Sequence, residues 1–497
     1  MIPSPNLPAA AVGQKALSIR QHLTDGLALA GLWLLILLAF WLIGPAGRVL
    51  ANGDLFTYFY PYWAAAAQAL GEGRLPLWNP YLFMGVPFLA NSQVGLFYPL
   101  NWPLWLLLPP HRALHWSVIL HLWLTATGAY VYGRAALRLG HLGAWTAGAA
   151  LALGGYLGAQ VEHVNQLQAL AWLPWLLLIY DRAIEQQGRL AWPALAAVMG
   201  MTLLAGHAQS AFIALTGLAV YGLATPGPAS PARRYGRPVG IWLLAVAVGL
   251  ALAAAQLLPT FELATLSVRS GGLPFKERLS FSLSPLYLAR ALLPGYGQAV
   301  EPDHIEYVAA LGVSGLLLAA GSVAHWLQAA RRRADPPTGL PLWPGRHIVL
   351  PLVGLFLSLG LFNPVYLLLA WGVPGFAHFR APARWLALWA CGAALLVGWA
   401  VDAVAGGRVR LTRRMWVAGG SALALFLTWG ALGGQADWTT ILGWLAAAAL
   451  AAALLWLAQM VRPQQTAPLA GWGLTALLVA ELLLSARTLP HLSLIHI

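Results

Sequence analysis

Apolar positions along this chain fall in long Leu-, Ala- and Trp-rich runs, separated by short basic breaks or by longer aromatic stretches punctuated with proline. A helix needs about 20 apolar residues to cross a hydrocarbon core of roughly 30 Å. On that measure the runs predict thirteen transmembrane helices, at about 26–44, 114–133, 142–158, 167–180, 191–205, 210–224, 240–257, 309–327, 348–362, 385–402, 415–432, 441–460 and 471–486. The fourth to sixth are short, which suggests tilting or pairing inside a bundle. The division of 191–224 into two helices rests on "AGHAQS" alone. The fold class expected is an all-α polytopic membrane protein. Barrel strands are short and alternate, and these runs do neither.

Composition agrees. Of 497 residues 60% are hydrophobic and only 9% charged, far too little charge to cover a water-soluble chain of this size. The net charge of +13 does not point to nucleic acid, because the basic residues form no stripe but sit between the apolar runs, as topology signals do. With the N-terminus inside, 18 of the 28 basic residues fall in inside connections, among them Lys15, Arg20, Arg134, Arg138, Arg182, Arg189, Arg233, Arg234, Arg237, Arg331 to Arg333, Arg346, Arg408, Arg410 and Arg462. The acids Asp54, Glu72, Glu162, Glu262, Glu277, Glu301, Asp303, Glu306 and Asp437 then lie outside.

This layout gives a cytoplasmic segment 1–25, a membrane domain 26–486 and an external tail 487–497. The two large external loops are 45–113 and 258–308. In the first, "LPLWNPYLFMGVPFLA" and "NWPLWLLLPP" read as interfacial or re-entrant helices at headgroup depth. The closing "LSLIHI" resembles read-through of a sequencing adapter, so the native chain is expected to continue beyond about Leu492. The single cysteine, Cys391, lies in an apolar run and reads as packing.

The unusual polar residues collect on the external side. Asp54, in "ANGDLFTYFYPYW", follows the first apolar run among Tyr58, Tyr60 and Tyr62. One reading makes it a helix-flanking acid that caps the next segment. The other makes it a carboxylate near apolar walls, whose raised pKa suits a general base. "QVEHVNQLQ" supplies Glu162, His163, Asn165, Gln166 and Gln168, and "GHAQS" supplies His207 and Gln209. Glu262 and Arg269 follow in "PTFELATLSVRSG", then Glu301, Asp303, His304 and Glu306 in "VEPDHIEY". "FAHFRAPARW" carries His378, Arg380 and Arg384, the two arginines four apart and on one face if helical, which suits a phosphate or pyrophosphate. No cluster of this kind is expected on the opposite side. No pair has a metal-ligand spacing such as His-Glu-x-x-His, although the acids around Asp303 offer oxygens for a divalent ion. Nucleotide loops, dinucleotide fingerprints and a Gly-x-Ser-x-Gly elbow are absent from the sequence.

Taken in order, "NGDLFTYFYPYW", "GRLPLWNPYLFMGVPFLANSQVGLFYPLNWP", "HVNQLQALAWLPWLLL", "GHAQSAFIAL" and "PGFAHFRAPARW" closely resemble the bacterial YfhO-type membrane proteins, regarded as relatives of the GT-C glycosyltransferases. The resemblance implies a GT-C-like bundle in the bacterial plasma membrane with its active site on the external face. It implies sugar transfer from a polyprenyl-phosphate-type donor to a cell-envelope glycopolymer, such as lipoteichoic acid, or to a glycolipid. Asp54 matches the acid of the first external loop and would be the general base. Arg380 and Arg384 would steady the leaving phosphate, with Tyr58, Glu162, His163, Gln166, His207 and Gln209 as substrate contacts. Many GT-C enzymes carry two neighbouring acids in that loop, and "NGDLF" has one, which favours a mechanism without metal or other cofactor. A transporter or flippase of lipid-linked sugars is the alternative, with Glu481 inside a helix as its one sign, and a non-catalytic scaffold of envelope assembly is a third.

Overall fold

The computed structural model describes residues 9–50, 53–185, 190–224, 235–268, 270–296, 302–331, 345–409, 411–433, 436–460, 463–487 and 494–495. Arg189, Arg233, Arg234, Arg269, Glu301, Arg332, Arg333, Arg410 and Arg462 lie outside the described residues, as do most of the tail and the side chains of Lys15, Arg20, Asp303 and Arg331.

Most of the described residues are helical. The first part of the chain forms α1 (Ala9–Ala39), α2 (Tyr60–Gly71), α3 (Asn101–Leu107), α4 (Pro110–Ala135), α5 (His141–Leu153), α6 (Gly155–Ala159), α7 (Val164–Leu170) and α8 (Leu173–Ile184). Then come α9 (Ala191–Leu204), α10 (Ala208–Leu223), α11 (Arg237–Leu252), α12 (Ala254–Thr265), α13 (Phe275–Arg278) and α14 (Leu288–Leu292). The last part holds α15 (Val313–Arg331), α16 (Gly345–Ser358), α17 (Pro364–Gly372), α18 (Leu386–Ala405), α19 (Arg413–Gly433), α20 (Trp438–Met460) and α21 (Pro463–Ala486). Two short antiparallel ladders complete it. In one, β1 (Val49–Leu50) pairs with β4 (Leu494–Ile495), and in the other β2 (Trp78–Asn79) pairs with β3 (Val86–Pro87).

Every one of the thirteen apolar runs carries a helix, and the break at "AGHAQS" separates α9 from α10. The count of spans is corrected. Among the described residues five helical stretches are long and apolar enough to cross a membrane, or six if α11 and α12, bent by 82°, form one broken span. Interruptions shorten most of the others, while α15 runs 19 residues and α4 26, the latter with three histidines and two arginines. These apolar helices make the chain a multi-pass membrane protein.

The centre of the bundle is α18, which packs on α5, α15, α16 and α21. Small residues bring its backbone close, as a Cβ on Gly398 would lie 2.5 Å from the Gly143 carbonyl oxygen of α5. By contrast α1, α19 and α20 present most of their apolar surface outward, where lipid replaces water and no penalty attaches to exposed leucine.

The first loop differs from expectation in one half. "NWPLWLL" is helical (α3), but "LPLWNPYLFMGVPFLA" forms the β2–β3 hairpin instead of an interfacial helix. Pro76, Pro80 and Pro87 cannot donate to a helical ladder, and the Asn79 side chain accepts from Tyr81 N at 3.0 Å, turning the chain. The rest of the loop is pinned by buried polar contacts. Tyr98 bonds His121 Nε2 at 2.8 Å, and Gln168 Nε2 donates to Asn101 Oδ1 at 2.7 Å, so Gln168 serves the fold.

Two buried acids are also explained. Glu481 of α21 accepts from the backbone N–H of Val313 (2.7 Å) and Ser314 (3.0 Å), and from the Ser314 and Tyr296 hydroxyls, so it caps the start of α15. Its place inside a helix is thereby accounted for as an inter-helix cap. Asp181 of α8 overturns the idea that one side lacks polar clusters. It accepts from Arg346 (2.9 Å), Tyr132 (3.2 Å) and Tyr221 (2.9 Å), while Tyr132 also meets His347 Nε2 at 2.6 Å. This knot joins α4, α8, α10 and α16 at the end of the bundle opposite His207 and Gln209, which stand at the other end of α10. Its members are scattered singly along apolar or basic runs, which hides the cluster from a reading of loops.

Candidate functional site

The site is assembled from three distant pieces of chain. The first is the turn after β1. Gly53 has φ +53° and packs on Glu162, where a Cβ would lie 2.8 Å from Oε2. Only glycine meets both demands without strain. Asp54 follows, and the chain then makes a π-helical turn, Leu55–Phe59, before α2. Such turns are rare and gather at functional sites. The Asp54 carboxylate makes no capping hydrogen bond, so the cap reading fails. Nor is it walled in by tyrosines, since its side chain is 62% exposed. Tyr58 packs on Tyr62 at 4.5 Å between ring centroids, and Tyr60 bonds His115 Nε2 at 2.9 Å. The aromatic neighbours are occupied with each other and with α4.

The second piece is the junction between α5 and α7. Gly155 lets the chain touch Ala310, with Gly155 N donating to its carbonyl at 2.7 Å. From Leu151 to Ala171 every residue is buried except His163, so this imidazole is the one opening in a closed segment. Its Nδ1 meets Gln160 Oε1 at 3.0 Å, an acceptor, which assigns the proton to Nδ1. Nε2 then lies 3.7 Å from Asp54 Oδ2. Burial lowers the His163 pKa, with Glu306 opposing and Arg384 assisting, so the neutral ring turns a lone pair toward a carboxylate. Two acceptors face each other, and a hydroxyl set beside them can donate its one proton to either. Beside them, burial and the negative charges of Asp54 and Glu306 push Glu162 up to about 7.

The third piece joins the turn before α15 to the turn before α18. Arg384 is buried and its Nε lies 3.0 and 3.1 Å from the two Glu306 oxygens, with Nη2 also on Glu306. Nη1 donates to Gln209 Oε1 at 3.0 Å and lies 3.4 Å from His207 Nε2. Burial alone would raise the Glu306 carboxyl, but the Arg384 guanidinium more than offsets it and holds it below the usual carboxylate range. His207 caps α10, its Nδ1 accepting from Ser210 N at 3.1 Å, and burial with the Arg384 charge holds the ring neutral. Gln209 Nε2 donates to the carbonyls of Arg380 (2.5 Å) and Ala381 (3.3 Å).

The two arginines do not share a helical face as expected. Ala381 has φ +58° and Pro382 follows, which breaks the helix between them. Arg384 turns inward to Glu306, and Arg380 is exposed. Gln166 stands one layer back, donating to Tyr156 Oη at 3.1 Å, which in turn donates to the Arg384 carbonyl at 3.1 Å. Three buried amide atoms on this segment, Gln160 Nε2, Asn165 Nδ2 and Gln166 Oε1, have no protein partner. Asp54, Glu162, His163, His207, Gln209 and Arg384 are thus brought together, while His378 and Glu262 are not part of the cluster. Glu306, Gln160 and Tyr156 complete it and were not among the expected site residues. Glu306 stands among the polar outliers of "VEPDHIEY", and the need of a buried arginine for an acid explains its place here. Among the described residues no group of three or more His, Cys, Asp or Glu side chains is placed to hold a metal ion.

No family model matches this chain, and no curated protein matches it. Among solved structures it is similar to the crystal structure of ArnT from Cupriavidus metallidurans bound to undecaprenyl phosphate, at 16% identity and a TM-score of 0.46, covering 93% of this chain and 77% of that one. It is similar also to ArnT from the same organism in the apo state, at 16% identity and a TM-score of 0.41, covering 97% and 78%. These likenesses are too distant to carry a shared activity.

Proposed function

We propose that the chain is a membrane glycosyltransferase of the YfhO and GT-C kind, moving a sugar from a polyprenyl-phosphate-type donor to a hydroxyl of a cell-envelope polymer or glycolipid. In this reading the N-terminus is cytoplasmic and the Asp54 side faces out of the plasma membrane. The observation that carries it is the exposed Asp54 carboxylate 3.7 Å from His163 Nε2. The ordered motifs of the first loop, "GHAQS" and "FRAPAR" support it.

The acceptor hydroxyl donates to Asp54 Oδ2, and its proton passes to that carboxylate as the oxygen attacks the anomeric carbon. The bond from that carbon to the phosphate oxygen breaks, and its electron pair leaves with the phosphate. Products are the glycoside, the polyprenyl phosphate and a protonated Asp54. Arg380, exposed beside the site, meets the charge that grows on the leaving group, a contact stronger in the transition state than before it. Arg384, already satisfied by Glu306, holds the floor of the site in place of the phosphate contact expected of it. Glu162, its carboxyl pushed up to about 7 by burial and the neighbouring acids, offers a hydrogen-bond donor to the sugar or acceptor when protonated.

The test uses the full-length protein in proteoliposomes with labelled polyprenyl-phosphate sugars and envelope acceptors. Asp54→Asn is expected to bind donor and transfer nothing. Transfer at the wild-type rate by that variant overturns the base assignment. Donor binding and movement across the bilayer, with no transfer by wild type, puts a flippase in place of the enzyme.

A further inference from the structure

The β2–β3 hairpin ends in a tip whose large side chains stand exposed. Tyr81 and Phe83 are 89% exposed and Met84 is fully exposed. Phe83 (φ +48°) and Met84 (φ +63°) both hold left-handed backbone, a genuine outlier for side chains of this bulk. Strain of this kind persists only where the surroundings over-determine it, and the base of the hairpin does so. Phe88 is buried against Tyr62 at 5.4 Å between ring centroids, its N–H donates to Leu77 O at 2.9 Å, and Gly85 closes over the Trp78 ring. On the other side Gln256 Nε2 donates to Leu89 O at 2.7 Å, which fastens the hairpin to the start of α12.

We propose that this tip is a membrane wedge, with Tyr81, Phe83 and Met84 seated in the bilayer leaflet on the Asp54 side. The partner is lipid for three reasons. No Asp, Glu, Lys or Arg occurs between Arg74 and Arg112, so nothing in the segment demands water or a charged protein partner. The helix to which the hairpin is fastened bends 82° away from α11 and exposes Leu258 and Phe261, continuing an outward apolar surface. Finally, a tip of one tyrosine with aliphatic and aromatic side chains matches the residue types that settle at the headgroup boundary. A solvated tip of this composition would be an association hazard. The proposal depends on the chain being a membrane protein and not on its being a glycosyltransferase.

The single cysteine makes the test direct, because Cys391 is fully buried. Met84→Cys in the full chain is labelled with an environment-sensitive nitrobenzoxadiazole probe and reconstituted in phosphatidylcholine–phosphatidylglycerol vesicles. Glu72→Cys, exposed in the same loop, is the aqueous reference, and Cys391→Ala sets the background. The expected result at position 84 is blue-shifted emission, quenching by lipids carrying doxyl groups, and several-fold weaker quenching by iodide than at position 72. Iodide quenching equal to that of the reference, with no doxyl effect, overturns the wedge. Energy transfer between labels on two copies, with no doxyl effect, overturns it in favour of a chain–chain contact.

Discussion

Removing one partner of the Arg384–Glu306 pair tests whether the floor of the site is built as described. Glu306→Gln keeps the shape and one acceptor but leaves the buried guanidinium without a counter-charge, among neutral groups alone: that amide oxygen, Gln209 Oε1 at 3.0 Å and a neutral His207. Both side chains are about one-tenth exposed, so water does little to replace the lost charge. Breaking a buried pair costs about 3–5 kcal/mol, and the retained amide oxygen puts Glu306→Gln at the lower end. Arg384→Met leaves Glu306 without the charge that holds its carboxyl down, so burial raises it and the cost grows with pH. The double variant Glu306→Gln with Arg384→Met removes both charges and is expected to lose no more than either single change. The cycle therefore predicts a coupling of at least about 2 kcal/mol, read by SDS titration of the protein in mixed micelles. A Glu306→Gln protein within about 0.5 kcal/mol of wild type refutes the reasoning, as does a double variant that loses the sum of the singles.

Two further outcomes follow from the same site. Glu162, raised from 4.5 to about 7, keeps a proton in the folded protein across a window in which the unfolded chain has lost it. Its contribution to stability therefore falls as pH rises through that window and is flat above it. Glu162→Gln should unfold at a higher temperature than wild type at pH 8 and at nearly the same temperature near pH 4.5, and an unchanged difference between the two pH values would contradict the burial of Glu162. Gly53→Ala places a Cβ 2.8 Å from Glu162 Oε2 at φ +53°, and is expected to lose about 1–2 kcal/mol and most activity, while Thr57→Ala, an exposed neighbour, keeps both in the same transfer and unfolding assays.

The helices were legible because apolar runs of this length have few other uses, and the break at "AGHAQS" because His207 and Gln209 interrupt a stripe that lipid would not accept. Partners were not legible. Arg380 and Arg384 read as a matched pair on one helix, yet Pro382 already disfavours helix at Ala381, and the observed φ of +58° there sends them apart. The tyrosines around Asp54 suggested burial of the carboxylate, but Tyr60 is drawn to His115 and Tyr62 to Phe88, both farther along the chain, and Tyr58 packs on Tyr62. Which acid is pushed toward neutral pH depends on how completely water is excluded, and Glu162 owes its position to Gly53, more than a hundred residues away.

What the fold adds to the residue types is a sorting of charge. Sequence supplies three acids and two arginines to one end of the bundle without saying which cancel. Glu306 and Arg384 neutralise each other in the interior, where a lone ion of either sign would be costly. Glu162 sheds part of its charge by holding a proton. Asp54 and Arg380 then remain as the charged groups of the set that face outward, one able to take a proton and the other to meet a developing anion. The proposed transfer reaction uses both on the accessible side, and the buried pair behind them ties the turn before α15 to the turn before α18.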